Sequence, residues 1–463
     1  MRPMIRSNLI RSRLPGLSLF VAALLLAVAP ARAVEIQRVV SPGGIEAWLV
    51  EDHSNPIIAL RLGFRDGGSV IDPQGKEGLA NMVSGLIDEG SGPLDSRTFR
   101  REMENRSISI SFDAGLDRFF GSLSTLTKHR DKAFELLRLA LTEPRFDEEP
   151  VERIRSQILA GLARQSEDPD AIAMLTMRAL LLPEHPYKRP LRGTPESVGA
   201  ITRDDLVAYT KRIFTRDRMV IGVTGDITPE DLAAALDATF LALPEKGEAI
   251  EVAEVVPAAE GALVVVDKDI PQSTALFGHA GIARDDPDYY AAQVVNYILG
   301  GGSFASRLYA EVREKRGLAY SVYSSLQPLN HTAFIFGGVA TQNGRIGESL
   351  ELIRAEWRSM AESGPEAQEL EDAKTYLTGS FPLRLSSSGR IAGMLMAIQL
   401  QDLGIDYLDK RNSFVEAVTL EDARRVARRI YDPEAFTVVV VGRPAGLEPT
   451  RDPPPIALDP DNS

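Results

Sequence analysis

The sequence predicts an α+β protein built from two homologous domains, each a sheet covered by helices. Three observations predict it. Residues 201–214 and 418–431 match at a constant offset of 217, so that Thr202 meets Thr419, Asp205 meets Asp422 and Lys211-Arg212-Ile213-Phe214 meets Arg428-Arg429-Ile430-Tyr431. A second block lies upstream at an offset of 216, where Phe120-Gly121 meets Phe336-Gly337 and residues 133–138 meet 349–354. Within each copy, strand-like alternation gives way to helical spacing and back again.

The elements follow in order. Residues 57–64 alternate like a strand, and Leu79, Met82, Val83, Leu86 and Ile87 have the spacing of an amphipathic helix. Residues 107–112 and 118–124 read as two strands joined around Gly115. Helices are expected over about 128–141 and 150–165, and Thr202 or Asp204 caps the next one. The last strand of each copy, 219–223 and 436–441, leads into Gly225 and Gly442, again 217 apart. Residues 243–258, with Pro244, Gly247 and four Glu, form a linker between a first domain over 34–242 and a second over 259–445. The tail 446–463, with Pro453-Pro454-Pro455 and Pro460, is expected to be unstructured.

Residues 1–33 read as a targeting segment. They hold five Arg and no acid, an apolar run over 17–29, and Ala31-Arg32-Ala33, a small-x-small cleavage pattern. The 13-residue run is short for a membrane span. A periplasmic or secreted protein is expected, with no stable membrane insertion after cleavage. Removing those five Arg from the 52 basic residues leaves 47 against 65 acidic ones, a net charge of −18. Such a charge argues against a general nucleic-acid binder, whose phosphate contacts need clustered Lys and Arg, without excluding a local basic patch. The chain has no Cys, which excludes disulfides, thiolate metal sites and cysteine nucleophiles.

Three strings carry a family resemblance: Gly78-Leu79-Ala80 opening a helix, Leu299-Gly300-Gly301-Gly302-Ser303, and Val312-Arg313-Glu314-Lys315-Arg316-Gly317-Leu318-Ala319-Tyr320. With the two homologous halves, they resemble the pitrilysin/insulinase (M16) family of zinc peptidases over residues 35–445 or so. The resemblance implies two M16-like domains arranged as a clamshell. It also implies a site that this chain lacks. Active members carry His-x-x-Glu-His on the first helix, where two His four apart bind zinc from one helical face and the Glu activates water. Here the string is Asn81-Met82-Val83-Ser84-Gly85, which puts Asn81 and Gly85 at the His positions and Ser84 at the Glu position. The distal ligand position falls on Ala160 or Gly161, and neither can bind metal. The five His are at 53, 129, 185, 279 and 331, none close enough in sequence to form a local pair. Asp88 and Glu89 lie near the vacated string and read as a polar helix end. No metal or cofactor is therefore expected in this chain.

What the resemblance retains is Arg313 and Tyr320, seven apart, which in the family reach from the second domain to hydrogen-bond the substrate backbone. Preplaced donors of this kind stabilise charge developing on a carbonyl oxygen. Arg313 could equally belong to a solvated charged run, and Tyr320 to the core. Gly300, Gly301 and Gly302 are candidates for close approach to substrate, with a helix C-cap as the alternative. The resemblance implies a non-catalytic, substrate-binding subunit of a heteromeric peptidase. Its partner would carry His-x-x-Glu-His and the zinc, and peptides would be the substrate. A structural or chaperone-like peptide-binding protein is the alternative.

Overall fold

A computed structural model describes residues 35–457; the expected targeting segment lies outside them. The first half runs β1 (Gln37–Val40), β2 (Glu46–Glu51), β3 (Ile57–Phe64), α1 (Leu79–Ser84), the short pair β4 (Gly90–Ser91) and β5 (Leu94–Asp95), α2 (Ser96–Glu104), β6 (Ser109–Ala114) and β7 (Phe119–Leu126). It continues with α3 (Arg130–Thr142), α4 (Glu148–Gln165), α5 (Pro169–Leu181), α6 (Pro195–Ala200), α7 (Arg203–Ile213), β8 (Met219–Gly225) and α8 (Pro229–Phe240). The second half runs β9 (Leu263–Asp267), β10 (Gln272–Ala280), α9 (Tyr289–Asn296), β11 (Val322–Pro328), β12 (Ala333–Gln342), α10 (Ile346–Ser363), α11 (Ala367–Gly379), α12 (Ser388–Leu400), α13 (Tyr407–Glu416), α14 (Leu420–Ile430) and β13 (Thr437–Gly442).

The two sheets repeat one topology. The first has the order β1-β2-β8-β3-β7-β6, and the second, read in the matching sense, β9-β13-β10-β12-β11. In both, the outermost equivalent pair is parallel, β2 with β8 and β9 with β13. The other pairs of each sheet are antiparallel, and only β1 has no counterpart. The sequence repeat reappears at the level of single atoms. Thr202 and Thr419 each close a capping box with the Asp three residues on, satisfying two orphan N–H groups of α7 and α14. Of the two caps proposed for α7, Thr202 is the one used. Gly225 and Gly442 end equivalent strands at φ 137° and 142°, where a Cβ is strained and would also strike the neighbouring strand.

Each half lends a helix to the other. α5 of the first half packs on β10 and β13 of the second sheet, where Ile172, Ala173 and Met177 meet Val264, Leu276, Val439 and Val441. α12 of the second half packs on β3 and β8 of the first sheet, placing Leu395 and Ile398 beside Trp48 and Val50. α5 begins at Pro169 and α12 at Ser388, so the two are equivalent elements displaced by two or three residues from the offset of the repeat. Each sheet therefore buries one face under its own helices and the other under a borrowed one.

Polar contacts reinforce the exchange. Arg65 at the end of β3 binds both Asp402 carboxylate oxygens just past α12, and Arg118 donates to Asn330 Oδ1 at 2.9 Å. The connection over 243–258 has neither helix nor strand but is held in place: Val255 N–H donates to the His331 carbonyl and Ala258 N–H to that of Leu181. Residues 446–457, expected to be unstructured, also lack helix and strand, yet Thr450 N–H donates to the Leu263 carbonyl at 2.8 Å.

Candidate functional site

α1 is short because the chain meets glycine at its end. Leu79, Ala80, Met82 and Val83 are buried and the helix stops at Gly85. Its start is held by a residue from outside it: the Asp72 carboxylate accepts from Gly78 N–H at 2.9 Å and Ala80 N–H at 3.1 Å. Burial pushes that carboxyl up to about 7, against the pull of the two N–H bonds. Asn81 is half-buried. Ser84 is buried, and its hydroxyl is spent on the Asn81 carbonyl at 2.8 Å. A Cβ on Gly85 would sit 3.4 Å from Ile154 Cγ2 of α4. On α4 itself, Ile154 and Ile158 pack into the core, Ala160 is exposed and Gly161 has open space around its Cα.

These residues do not fit zinc. An amide, a hydroxyl already bonded to backbone and a glycine cannot replace two imidazoles and a carboxylate. Among the described residues, no group of three His, Asp or Glu is placed to hold a metal ion. Just beyond α1 the structure departs from the expected polar helix end. Glu89 is only 8% exposed and accepts from Arg100 Nη2 and Arg153 Nη2, each at 2.7 Å, and from Ser96 Oγ. Burial raises its pKa, but the bonds from Ser96 and Arg153 and both positive charges win and hold it below the ordinary carboxylate range. Asp88 is pushed the other way, to about 6, by burial and by the charge of Glu89. Glu89 thereby ties α2 and α4 to the end of α1.

Arg313 and Tyr320 lie at opposite ends of one tight turn. Gly317 N–H donates to the Arg313 carbonyl at 2.8 Å and Leu318 N–H to the Val312 carbonyl at 2.9 Å. The turn needs Gly317 at φ 60°. It brings Arg313 Nη1 to the Tyr320 carbonyl at 2.8 Å and the guanidinium carbon to 4.6 Å from the Tyr320 ring centroid. Tyr309 at 4.9 Å and Phe304 at 5.9 Å complete an aromatic surround. Tyr320 is 82% exposed, so it is not part of the core, and its phenol faces solvent. Arg313 lies near the end of a π-type turn over Tyr309–Glu314, the kind of local widening that recurs at functional sites.

The glycine run forms the preceding π-type turn, Tyr297–Gly301. A Cβ on Gly300 would lie 2.5 Å from Ser324 Oγ and 2.6 Å from its backbone nitrogen, so this glycine lets the turn pack on β11. Gly301 and Gly302 lie close to Asn296 and Tyr297 in the same way. The structure thus brings Arg313 and Tyr320 together with two aromatic rings that sequence reasoning missed. Tyr309 stands four residues before Arg313, a spacing that puts side chains on one helical face. Phe304 had no such signal: it follows Ser303 at φ 51°, an irregular turn that no periodicity reveals. No side-chain hydrogen bond links Asn81, Ser84 or Gly85 to this cluster among the described residues.

Comparison with known proteins agrees with this picture. Residues 48–195 match the family model described as Insulinase (Peptidase family M16), and residues 200–377 the one described as Peptidase M16 inactive domain. The chain is 31% identical to the non-peptidase homolog YmxG of Helicobacter pylori, over 72% of this chain and 77% of that protein. It is 25% identical to the uncharacterized zinc protease ML0855 of Mycobacterium leprae, over 89% and 93%. The crystal structure of a peptidase M16 inactive domain from Pseudomonas fluorescens superposes with a TM-score of 0.82 at 28% identity, covering 91% of this chain and 100% of that one. With its repeated halves and these relatives, the chain belongs to the M16 (insulinase) peptidase family.

Proposed function

We propose that this chain is the non-catalytic, substrate-binding subunit of a heteromeric M16 metallopeptidase, acting outside the cytoplasm after removal of residues 1–33. The observation that carries the reading is the Arg313–Tyr320 turn. One half of a composite site has lost every ligand, while the other keeps two donors in a preformed arrangement. Tyr320 is exposed beside a guanidinium that its own carbonyl and three rings hold still. An exposed aromatic with a free phenol contributes little to packing. A phenol and a guanidinium a few ångströms apart suit a peptide carbonyl on which negative charge develops. In this reading the pair serves a partner chain that carries His-x-x-Glu-His and holds the zinc. The edge strand β6 offers unpaired backbone to an extended peptide.

The test is reconstitution. The chain alone should hydrolyse no peptide, and mixed with a His-x-x-Glu-His partner it should raise that partner's turnover. Arg313→Ala or Tyr320→Phe should remove most of the gain, since loss of one oxyanion donor costs roughly 10²–10³ in rate. A second reading, a structural or chaperone-like peptide-binding protein, is favoured if both variants form the complex and support full turnover.

A further inference from the structure

Between the two halves lies a small crevice of about 60 Å³. Leu116, Met174, Met177 and Leu181 of the first half line it, as do Leu329, Phe334 and Phe336 of the second. Two polar side chains interrupt this apolar wall, Gln327 of β11 and Arg178 in the last turn of α5. Arg178 lines this wall without an ion-pair partner. Arg307 binds Glu369 and Arg153 binds Glu89, but no carboxylate among the described residues pairs with Arg178. Burial alone moves its pKa, downward, with no opposing charge beside it. The carbonyl end of α5 favours a cation there. That accounts for the sign of the charge but not for its place, half-buried, beside an apolar wall.

We propose that this crevice is a binding site for a carboxylate on a small apolar body, with Arg178 pairing the carboxylate and the Leu, Met and Phe side chains covering the rest. A carboxylate is the natural complement of an unpaired planar guanidinium. The volume suits a group of a few heavy atoms, since one water needs roughly 10–15 Å³ by the same measure. Both a short free monocarboxylate and the last residue of a peptide chain present this chemistry. Because the walls come from both halves, an occupied site ties α5 to the β11–β12 hairpin. The site involves neither Arg313 nor Tyr320, so it stands apart from the role given to them.

The test is calorimetric titration of the chain from residue 34 onward with three probes: butyrate, N-acetyl-glycyl-alanine as the free acid, and the same dipeptide as its amide. At least one acid should bind and the amide should not. Butyrate alone would assign the site to free acids, the dipeptide acid alone to chain ends. Arg178→Met should weaken binding at least tenfold while melting no lower than the parent without ligand, because it removes a half-buried charge that has no carboxylate partner. A merely structural arginine would lower the melting temperature. Leu329→Trp, which keeps Arg178 and fills the crevice, should also abolish binding. Failure of both acids at millimolar concentration, equal binding of the amide, or parental affinity in Arg178→Met would overturn the proposal.

Discussion

Arg313 Nη1 donates to the carbonyl of Tyr320 at 2.8 Å, and the same guanidinium lies 4.6 Å from that residue's ring. The two residues are therefore one unit, closed by the turn between them. Any change that opens the turn should affect both.

Gly317 is the point at which to open it. Its φ of 60° costs a residue with a Cβ about 1–2 kcal/mol, although the space beside it is empty. Gly317→Ala should lower unfolding free energy by about that much in urea titration. It should also cut partner-stimulated turnover without weakening assembly. A variant as stable and as active as the parent would show that the turn is not strained.

The repeat makes a prediction about additivity. Thr202→Ala and Thr419→Ala each remove the acceptor of a capping box, at a cost of about 1 kcal/mol. The caps lie in different halves and share no partner, so the double variant should lose the sum within a few tenths of a kcal/mol. A markedly smaller or larger loss by chemical denaturation would show that the two helices are coupled.

Much of this architecture was legible in the sequence. The capping boxes, the glycines that end β8 and β13, and the helix over 130–142 lie where period and offset put them. The exchange of α5 and α12 was not legible. Periodicity says that a helix has an apolar face, not which of two equivalent sheets that face will meet. Glu89 was misread for a similar reason. A carboxylate near a helix end is ordinarily solvated, and its two arginine partners come from residues 11 and 64 positions away. The absence of ligands at Asn81, Ser84 and Gly85 followed from side-chain chemistry once the family resemblance set that string against His-x-x-Glu-His.

Glu89 gives a pH-dependent prediction. Its folded pKa lies below the ordinary value, so its contribution is fully present above the unfolded carboxylate pKa and is lost as pH falls through the folded one. Glu89→Gln should therefore cost about 2 kcal/mol at neutral pH, the scale of hydrogen bonds to a charged group. The gap to the parent should narrow as pH drops below about 4. A gap constant from pH 7 to pH 3 would contradict the ion-pair assignment.

Restoring the metal site tests how far it has decayed. Asn81→His, Ser84→Glu and Gly85→His together supply only two protein ligands, and catalytic zinc usually has three. That triple variant should bind zinc weakly. Adding Gly161→Glu should tighten zinc at least tenfold, because residue 161 follows Ile154 and Ile158 along the face turned to α1. Adding Ala160→Glu should not, since Ala160 points to solvent. Tight zinc in the triple variant, or rescue by residue 160, would show that the distal position lies elsewhere.

The central claim is that this chain does no hydrolysis itself but completes a partner's site through Arg313 and Tyr320. The most direct measurement is peptide turnover by a His-x-x-Glu-His partner, titrated with parent chain and with Tyr320→Phe at matched complex formation. The account predicts a rise that saturates at one chain per partner, reduced roughly 10²-fold or more by the loss of the phenol. Equal turnover with both chains, or zinc-dependent hydrolysis by this chain alone, would contradict it.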